Sequence, residues 1–232
     1  MTDRRTVLVS GANRGIGAAI ARELLARDWQ VSIGVRRPDS VPDDLRERCH
    51  VQAYDATDRG SEAAWVAAAA ERFGRIDAVV ANAGIMIPKT VIEAEDSDLD
   101  AVLDVNVKAP LRLARAAWPH LVACGRGRVA TIVSLSGKRV KTAKAGLYSV
   151  SKFAALALSH AIRHAGWDQG IRSVAICPGY VATDMALGLT DKAAADMTDP
   201  KDVARIVAFA LDLPNTASVV EIPINSSMDD SY

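Results

Sequence analysis

The chain has 232 residues, half of them hydrophobic, and its 28 basic residues balance 28 acidic ones. That length suits one α/β domain with a sizeable core, and the charge balance argues against bulk attraction to nucleic acid or an anionic membrane. The opening stretch, MTDRRTVLVSGANRG, holds no apolar segment long enough for a signal peptide or membrane span, which points to a cytoplasmic protein.

Residues 6–10 (TVLVS) are apolar and β-branched, and read as a buried strand. They meet Gly11-Ala12-Asn13-Arg14-Gly15-Ile16-Gly17 and then an amphipathic helix, AAIARELLARD. Strand, glycine turn and helix in that order are the setting in which such glycines bind a dinucleotide. Gly11 would permit the tight turn, Gly15 the approach of backbone to pyrophosphate, and Gly17 close helix–strand packing. A plain βα turn would carry the same glycines. Residues 30–35 (QVSIGV) form a second strand that ends in Arg36-Arg37. NAD-preferring folds place an acidic residue here for the ribose hydroxyl, but Val35 holds that position. Arg14, Arg36 and Arg37 suit the 2′-phosphate of NADP, unless they are simply solvated.

Residues 50–54 give a third strand, closed by Asp55 where dinucleotide folds contact adenine. A helix over 58–73 and a fourth strand over 76–81 follow, the strand running into Asn82-Ala83-Gly84. The next helix, 98–123, is expected to be interrupted near Pro110 and Pro119. It contains Asn106, whose amide needs partners if buried. Residues 127–134 form a fifth strand leading to Leu135-Ser136-Gly137 and a basic loop with Lys138, Arg139, Lys141 and Lys144. That loop reads either as a solvated surface or as a clamp for an acidic substrate.

Residues 147–165 (LYSVSKFAALALSHAIRHA) lack Gly and Pro and read as a largely buried helix. Tyr148 and Lys152, four apart, share one face of it. A phenol titrates near pH 10, and a fixed cation beside it pulls that value down toward use in proton transfer. Residues 171–177 form a sixth strand that breaks at Pro178-Gly179, followed by Tyr180, Val181, Thr183 and Met185. Residues 184–200 read as a mobile loop or helical lid over substrate. Pro200 opens a last helix, residues 218–224 supply a seventh strand, and the tail NSSMDDSY is acidic and polar and reads as surface or interface. Alternation of strands and helices implies a single dinucleotide-binding domain over 1–232, with a doubly wound, Rossmann-like parallel sheet of about seven strands covered on both faces. Cys49, Cys124 and Cys177 have no paired spacing and no histidine cluster, so buried thiols and no metal site are expected.

With these pieces in order, the chain resembles the short-chain dehydrogenase/reductase family over nearly its whole length. The likeness rests on Ser10-Gly11-x-x-x-Gly15-x-Gly17, Asn82-Ala83-Gly84, Asn106, Ser134, Tyr148-x-x-x-Lys152 and Pro178-Gly179 with Thr183. Ser134-Leu135-Ser136-Gly137 fits the family's S-x-x-G, which favours Ser134 over Ser136 as the catalytic serine. The resemblance implies an NADP(H)-dependent enzyme, acting as a carbonyl reductase, in which Tyr148 is the general acid. Lys152 would lower its pKa and hold the nicotinamide ribose, Ser134 would bond the substrate oxygen, and Asn106 would hold a water linking Lys152 to solvent. Cofactor contacts are implied for Gly11, Asn13, Arg14, Gly15, Ile16, Gly17, Arg36, Arg37, Asp55, Asn82, Ala83, Gly84, Pro178, Gly179, Val181 and Thr183. Ile85, Met86, Ile87, Tyr180 and Met185 suggest an apolar wall for a small-molecule carbonyl or alcohol substrate. Pairing of the helices containing Asn106 and Tyr148 would give a homodimer or homotetramer. The rival readings are a nucleotide-sensing regulatory protein without turnover, which would not need the Ser134, Tyr148 and Lys152 relay, and a halohydrin-cleaving branch, which lacks both the glycine turn and the lysine.

Overall fold

Seven short runs rich in Val, Ile and Ala pair as one fully parallel sheet in a computed structural model that describes residues 4–228. The strands are β1 (Thr6–Ser10), β2 (Gln30–Val35), β3 (His50–Ala53), β4 (Ala78–Ala81), β5 (Arg128–Ile132), β6 (Arg172–Pro178) and β7 (Glu221–Ile224). Their order is β3-β2-β1-β4-β5-β6-β7, so the winding reverses between β1 and β4. Such a reversal opens a crevice at the carboxyl ends of the strands, where doubly wound sheets bind ligands.

The helices are α1 (Gly15–Ala26), α2 (Asp43–Arg46), α3 (Ser61–Phe73), α4 (Asp96–Leu103), α5 (Ala109–Ala123), α6 (Gly146–Gly166), α7 (Asp184–Leu187) and α8 (Pro200–Asp212). Strand side chains alternate between two cores, as a period of two demands. Val7 and Val9 face α1 and α8, packing with Ile20, Leu24 and Val207. Leu8 faces the other way, joining Trp65 of α3 and Leu113 and Leu121 of α5. Because both faces are covered, β1 is buried along its whole length. Among the described residues no helix is long and apolar enough to cross a membrane.

Several boundaries differ from the sequence expectation for physical reasons. α3 starts at Ser61 rather than 58, because Asp58 Oδ1 accepts from the Gly60 N–H in a local turn. Pro119 does not interrupt α5: Ala117 and Leu121 on either side are fully buried, and that packing carries the helix past the one lost backbone bond. The irregularity comes earlier, as a π turn over Asp104–Lys108 that joins α4 to α5 and contains Asn106. β7 has four residues, not seven, and pairs only with β6 at the sheet edge. The span expected to be a lid holds α7 and a short 3-10 turn, Ala194–Asp196. Its ends are tied together, with Ala182 N–H donating to the Thr198 carbonyl and Thr198 N–H to that of Tyr180. Of the three free cysteines only Cys177 is buried; Cys49 and Cys124 are half-buried. Residues 225–228 of the polar tail are exposed, and 229–232 lie outside the described residues.

Candidate functional site

A cleft of about 880 Å³ lies over the carboxyl ends of the strands, a volume suited to a large cofactor and a small substrate. Its floor begins with the glycine turn after β1, where Gly11 and Gly15 sit at φ 67° and 55°. Ser10 fixes this turn against the strand beside it. Its hydroxyl accepts the backbone N–H groups of Asn82 (2.9 Å) and Ala83 (3.0 Å), while Asn82 Nδ2 donates to the Ser10 and Gly11 carbonyls. Gly17 lies beneath the turn, away from the cleft wall. A Cβ there would fall 2.4 Å from the Gly11 carbonyl oxygen and 2.5 Å from Asn82 Nδ2, so only glycine lets α1 start this close. No side chain caps the start of α1, which leaves its first N–H groups for a ligand.

Ser134, Tyr148 and Lys152 come together where β5 ends and α6 begins. Ser134 caps a 3-10 turn over Leu135–Gly137 by accepting the Ser136 N–H at 3.0 Å. The turn presses on α6 at Gly137, where a Cβ would lie 2.7 Å from the Lys152 carbonyl oxygen. The same turn sets the Ser134 side chain beside the Tyr148 phenol, where hydrogen bonding from it favours the phenolate. Ser136 also borders the cleft, but the phenol's partner is Ser134. Lys152 is 4% exposed; its Nζ donates to the Ile132 carbonyl at 2.9 Å and lies 5.5 Å from the Tyr148 ring centroid.

The electrostatics depart from the expectation that lysine acidifies the phenol. Burial pushes Tyr148 up to about 12, against a smaller downward pull from Ser134. Burial also pushes the Lys152 ammonium down to about 8, with nearby Cys177 acting weakly the other way. Desolvation disfavours whichever form is charged, so it raises a phenol and lowers an ammonium. Tyr148 therefore stays protonated at neutral pH, the state required of an acid, with the Lys152 ammonium one helical turn away.

Asn106 is buried, and both its amide oxygen and its amide nitrogen are bonded within the protein. Its Oδ1 accepts the Ile85 N–H at 2.9 Å, and its Nδ2 donates to the Ile85 carbonyl and to Ser151 Oγ, each at 2.9 Å. Ser151 in turn donates to the Tyr148 carbonyl at 2.7 Å. The amide thus ties the segment after β4 to the helix that carries Tyr148 and Lys152, and it does not border the cleft itself. Ser151 is not singled out from sequence, although it sits inside the Tyr148-x-x-x-Lys152 motif.

Asn13, Ile16, Asp55, Gly84, Pro178, Gly179, Val181 and Thr183 all border the cleft, as do Arg14 and Arg36. Arg37 does not: it is exposed and off the cleft wall, since consecutive residues leaving a strand point to opposite sides. Arg14 pairs with Asp184 across the mouth at 2.9 Å, an exposed contact worth little by itself. Asp55 accepts from Thr57 N–H and Oγ1, which with Arg36 nearby holds its carboxyl below the usual range. Sequence reasoning missed Tyr54 and Thr57 on this wall and placed Ile87 on the apolar wall, where only Ile85, Met86, Tyr180 and Met185 are found. Open glycine backbone, an uncapped helix start, no carboxylate ending β2 and two arginines together fit a dinucleotide bearing an extra phosphate.

Comparison with known proteins bears on this site. A family model described as short chain dehydrogenase matches residues 5–194. An agropine synthesis reductase of Rhizobium rhizogenes is 40% identical over 227 residues, covering 92% of this chain and 50% of that protein. This chain thus spans about half the length of its first curated relatives. An uncharacterized oxidoreductase of Staphylococcus saprophyticus is 30% identical, over 95% of this chain and 96% of its own. A short chain dehydrogenase of Burkholderia cenocepacia, solved in complex with NADP, superposes with a TM-score of 0.86 at 28% identity, covering 96% of each chain.

Proposed function

The chain belongs to the short-chain dehydrogenase/reductase family, and from that premise we propose that it is an NADP(H)-dependent oxidoreductase that interconverts a carbonyl and an alcohol, working as a reductase. The observation that carries this reading is the grouping of Ser134, Tyr148 and Lys152 along one cleft that also carries the open glycine turn, Arg14 and Arg36.

Reduced nicotinamide, bound in the cleft, supplies the hydride. Tyr148 Oη gives its proton to the carbonyl oxygen as that oxygen gains charge. The Ser134 hydroxyl donates to the same oxygen and loses nothing by doing so, since it is already oriented by the turn it caps. The phenolate left on Tyr148 is stabilised by the Lys152 ammonium one helical turn away, a pairing that burial strengthens. Lys152 also serves the nicotinamide ribose, and Thr183 the carboxamide. Asn106 is a positioning residue: it acts through Ile85 and Ser151 on the cofactor loop and on α6.

Preference for NADP over NAD rests on Arg14 and Arg36, with no carboxylate to compete for the ribose. The span 184–200 acts as a lid over the substrate through Met185 and Leu189, which border the cleft. The whole of 1–232 works as one dinucleotide-binding domain. Assembly as a homodimer or homotetramer through α5 and α6 would cover Leu111, Val150 and Phe153, which are exposed.

Titrating the purified protein with NADPH and NADH, then screening aldehydes, ketones and keto acids for loss of NADPH absorbance, tests the reading. Tighter NADPH binding with turnover of some carbonyl compound supports it. Binding without turnover across a broad panel would favour a nucleotide-sensing role, and no nicotinamide binding would end it.

A further inference from the structure

Resting on the carbonyl-reductase reading, we infer that the substrate carries a hydroxyl group a few carbons from its carbonyl, and that Asn225, just past the end of β7, receives it. Apart from Tyr148, the neutral polar side chains along the cleft fall into two sets. Asn13, Tyr54, Thr57, Asn82, Ser134 and Thr183 are bonded within the protein. Ser136, Thr142, Tyr180, Asn225 and Ser227 border the same cleft, and none of their side chains has a hydrogen-bond partner among the described residues. All five follow β5, β6 or β7, the last three strands of the sheet.

Asn225 is the best placed of them. The Gly179 N–H donates to the Ile224 carbonyl at 2.8 Å, which sets Asn225 beside Gly179. A Cβ on Gly179 would lie 2.9 Å from Asn225 Oδ1 and 3.3 Å from Leu135 Cδ1, so the amide and the turn that Ser134 caps close on one point. The segment around Asn225 is tied down on two sides. Lys192 Nζ, in the lid span, donates to Ser226 Oγ at 2.9 Å. In the basic loop, Lys138 bridges to Glu221 of β7, while Arg139, Lys141 and Lys144 border the cleft.

β7 stands two strands from β5, about 10 Å, with β6 and Gly179 between them, so a short carbon chain spans from a carbonyl at Ser134 to the Asn225 amide. Asn225 is exposed, and its amide is hydrated until a substrate covers it. Alkyl carbons laid there would strip the water and leave the amide unpaired. A hydroxyl, donor and acceptor at once, replaces what the water supplied.

The test pairs each hydroxy-ketone with an alkyl ketone of the same length: 4-hydroxybutan-2-one with pentan-2-one, and 5-hydroxypentan-2-one with hexan-2-one. At least one hydroxy-ketone should exceed its partner in kcat/KM, and the pair that responds gives the spacing. Asn225→Leu keeps the side chain's shape and deletes its amide, and should cut that ratio about tenfold. Asn225→Ala makes the same comparison without pressing on Gly179, and NADPH fluorescence titration confirms that each variant is folded. No advantage for either hydroxy-ketone, or a ratio indifferent to both substitutions, overturns the inference and leaves the reductase reading intact. Turnover of no ketone counts against the reductase reading, and calorimetry on the NADPH-loaded protein then decides the inference. Binding of a hydroxy-ketone, weakened about tenfold by Asn225→Leu, upholds it; binding indifferent to the substitution, or no binding, overturns it.

Discussion

Replacing Lys152 by Met isolates the cost of burying a cation at this site. Folding moves the Lys152 ammonium from an ordinary 10.5 to about 8, because burial penalises the charged form. At pH 7 that penalty is about 3 kcal/mol. Met keeps the aliphatic length and removes the charge, but leaves the Ile132 carbonyl without its donor, a loss of about 1–3 kcal/mol. The two nearly offset, so the variant should be no less stable than the parent at pH 7, although it loses turnover.

The sign of the pH dependence is the sharper test. Between the folded pKa near 8 and the unfolded value of 10.5, the unfolded chain holds a proton that the native lysine has released. Stability of the parent therefore rises with pH across that window, and the Met variant lacks this term. Urea titrations at pH 7 and pH 10 should show the parent gaining about 2–3 kcal/mol on the variant. Cys177, pushed up to about 11 chiefly by burial, and Tyr148 titrate in both proteins, and only the weak coupling of Cys177 to Lys152 survives in the difference. A pH-independent difference, or a variant some 3 kcal/mol less stable at pH 7, would refute the description of Lys152 as a desolvated cation.

Asn106→Ala removes both partners of Ile85 and the donor to Ser151, and should cost about 2–4 kcal/mol in urea unfolding, with kcat falling more than KM changes. A split confined to KM would argue against its positioning of Tyr148. Gly17→Ala forces a Cβ onto the Gly11 carbonyl and Asn82, so stability should drop by about 1–3 kcal/mol and NADPH affinity with it, read by unfolding and fluorescence titration. Arg36→Asp places a carboxylate where a 2′-phosphate would lie, and the ratio of NADPH to NADH affinity should fall by about tenfold or more, measured by paired titrations.

Much of the architecture was legible because local pattern and global packing agree. A short run from Thr6 to Ser10 with Val7, Leu8 and Val9 at its centre, a glycine turn and an amphipathic helix could hardly be anything but a βα unit, and β1 is indeed buried along its length. Tyr148 and Lys152 shared a helical face because the spacing of four guarantees it. What escaped was long-range or energetic. The Arg14–Asp184 pair joins residues 170 apart, and no local pattern encodes that contact. The division of the basic loop into three cleft residues and one turned to Glu221 depends on where β7 docks. The π turn around Asn106 leaves no proline or glycine signature of its own. Acidity of the phenol escapes for a related reason: sequence shows the neighbouring cation, whereas the burial that raises the phenol is a property of the folded chain.

Tyr148→Phe addresses the central claim most directly, because it deletes one proton donor and almost nothing else. The account predicts that NADPH still binds with about the parent's affinity while carbonyl reduction falls by about 10²–10⁴-fold. Reduction continuing at the parent's rate without that hydroxyl would contradict it.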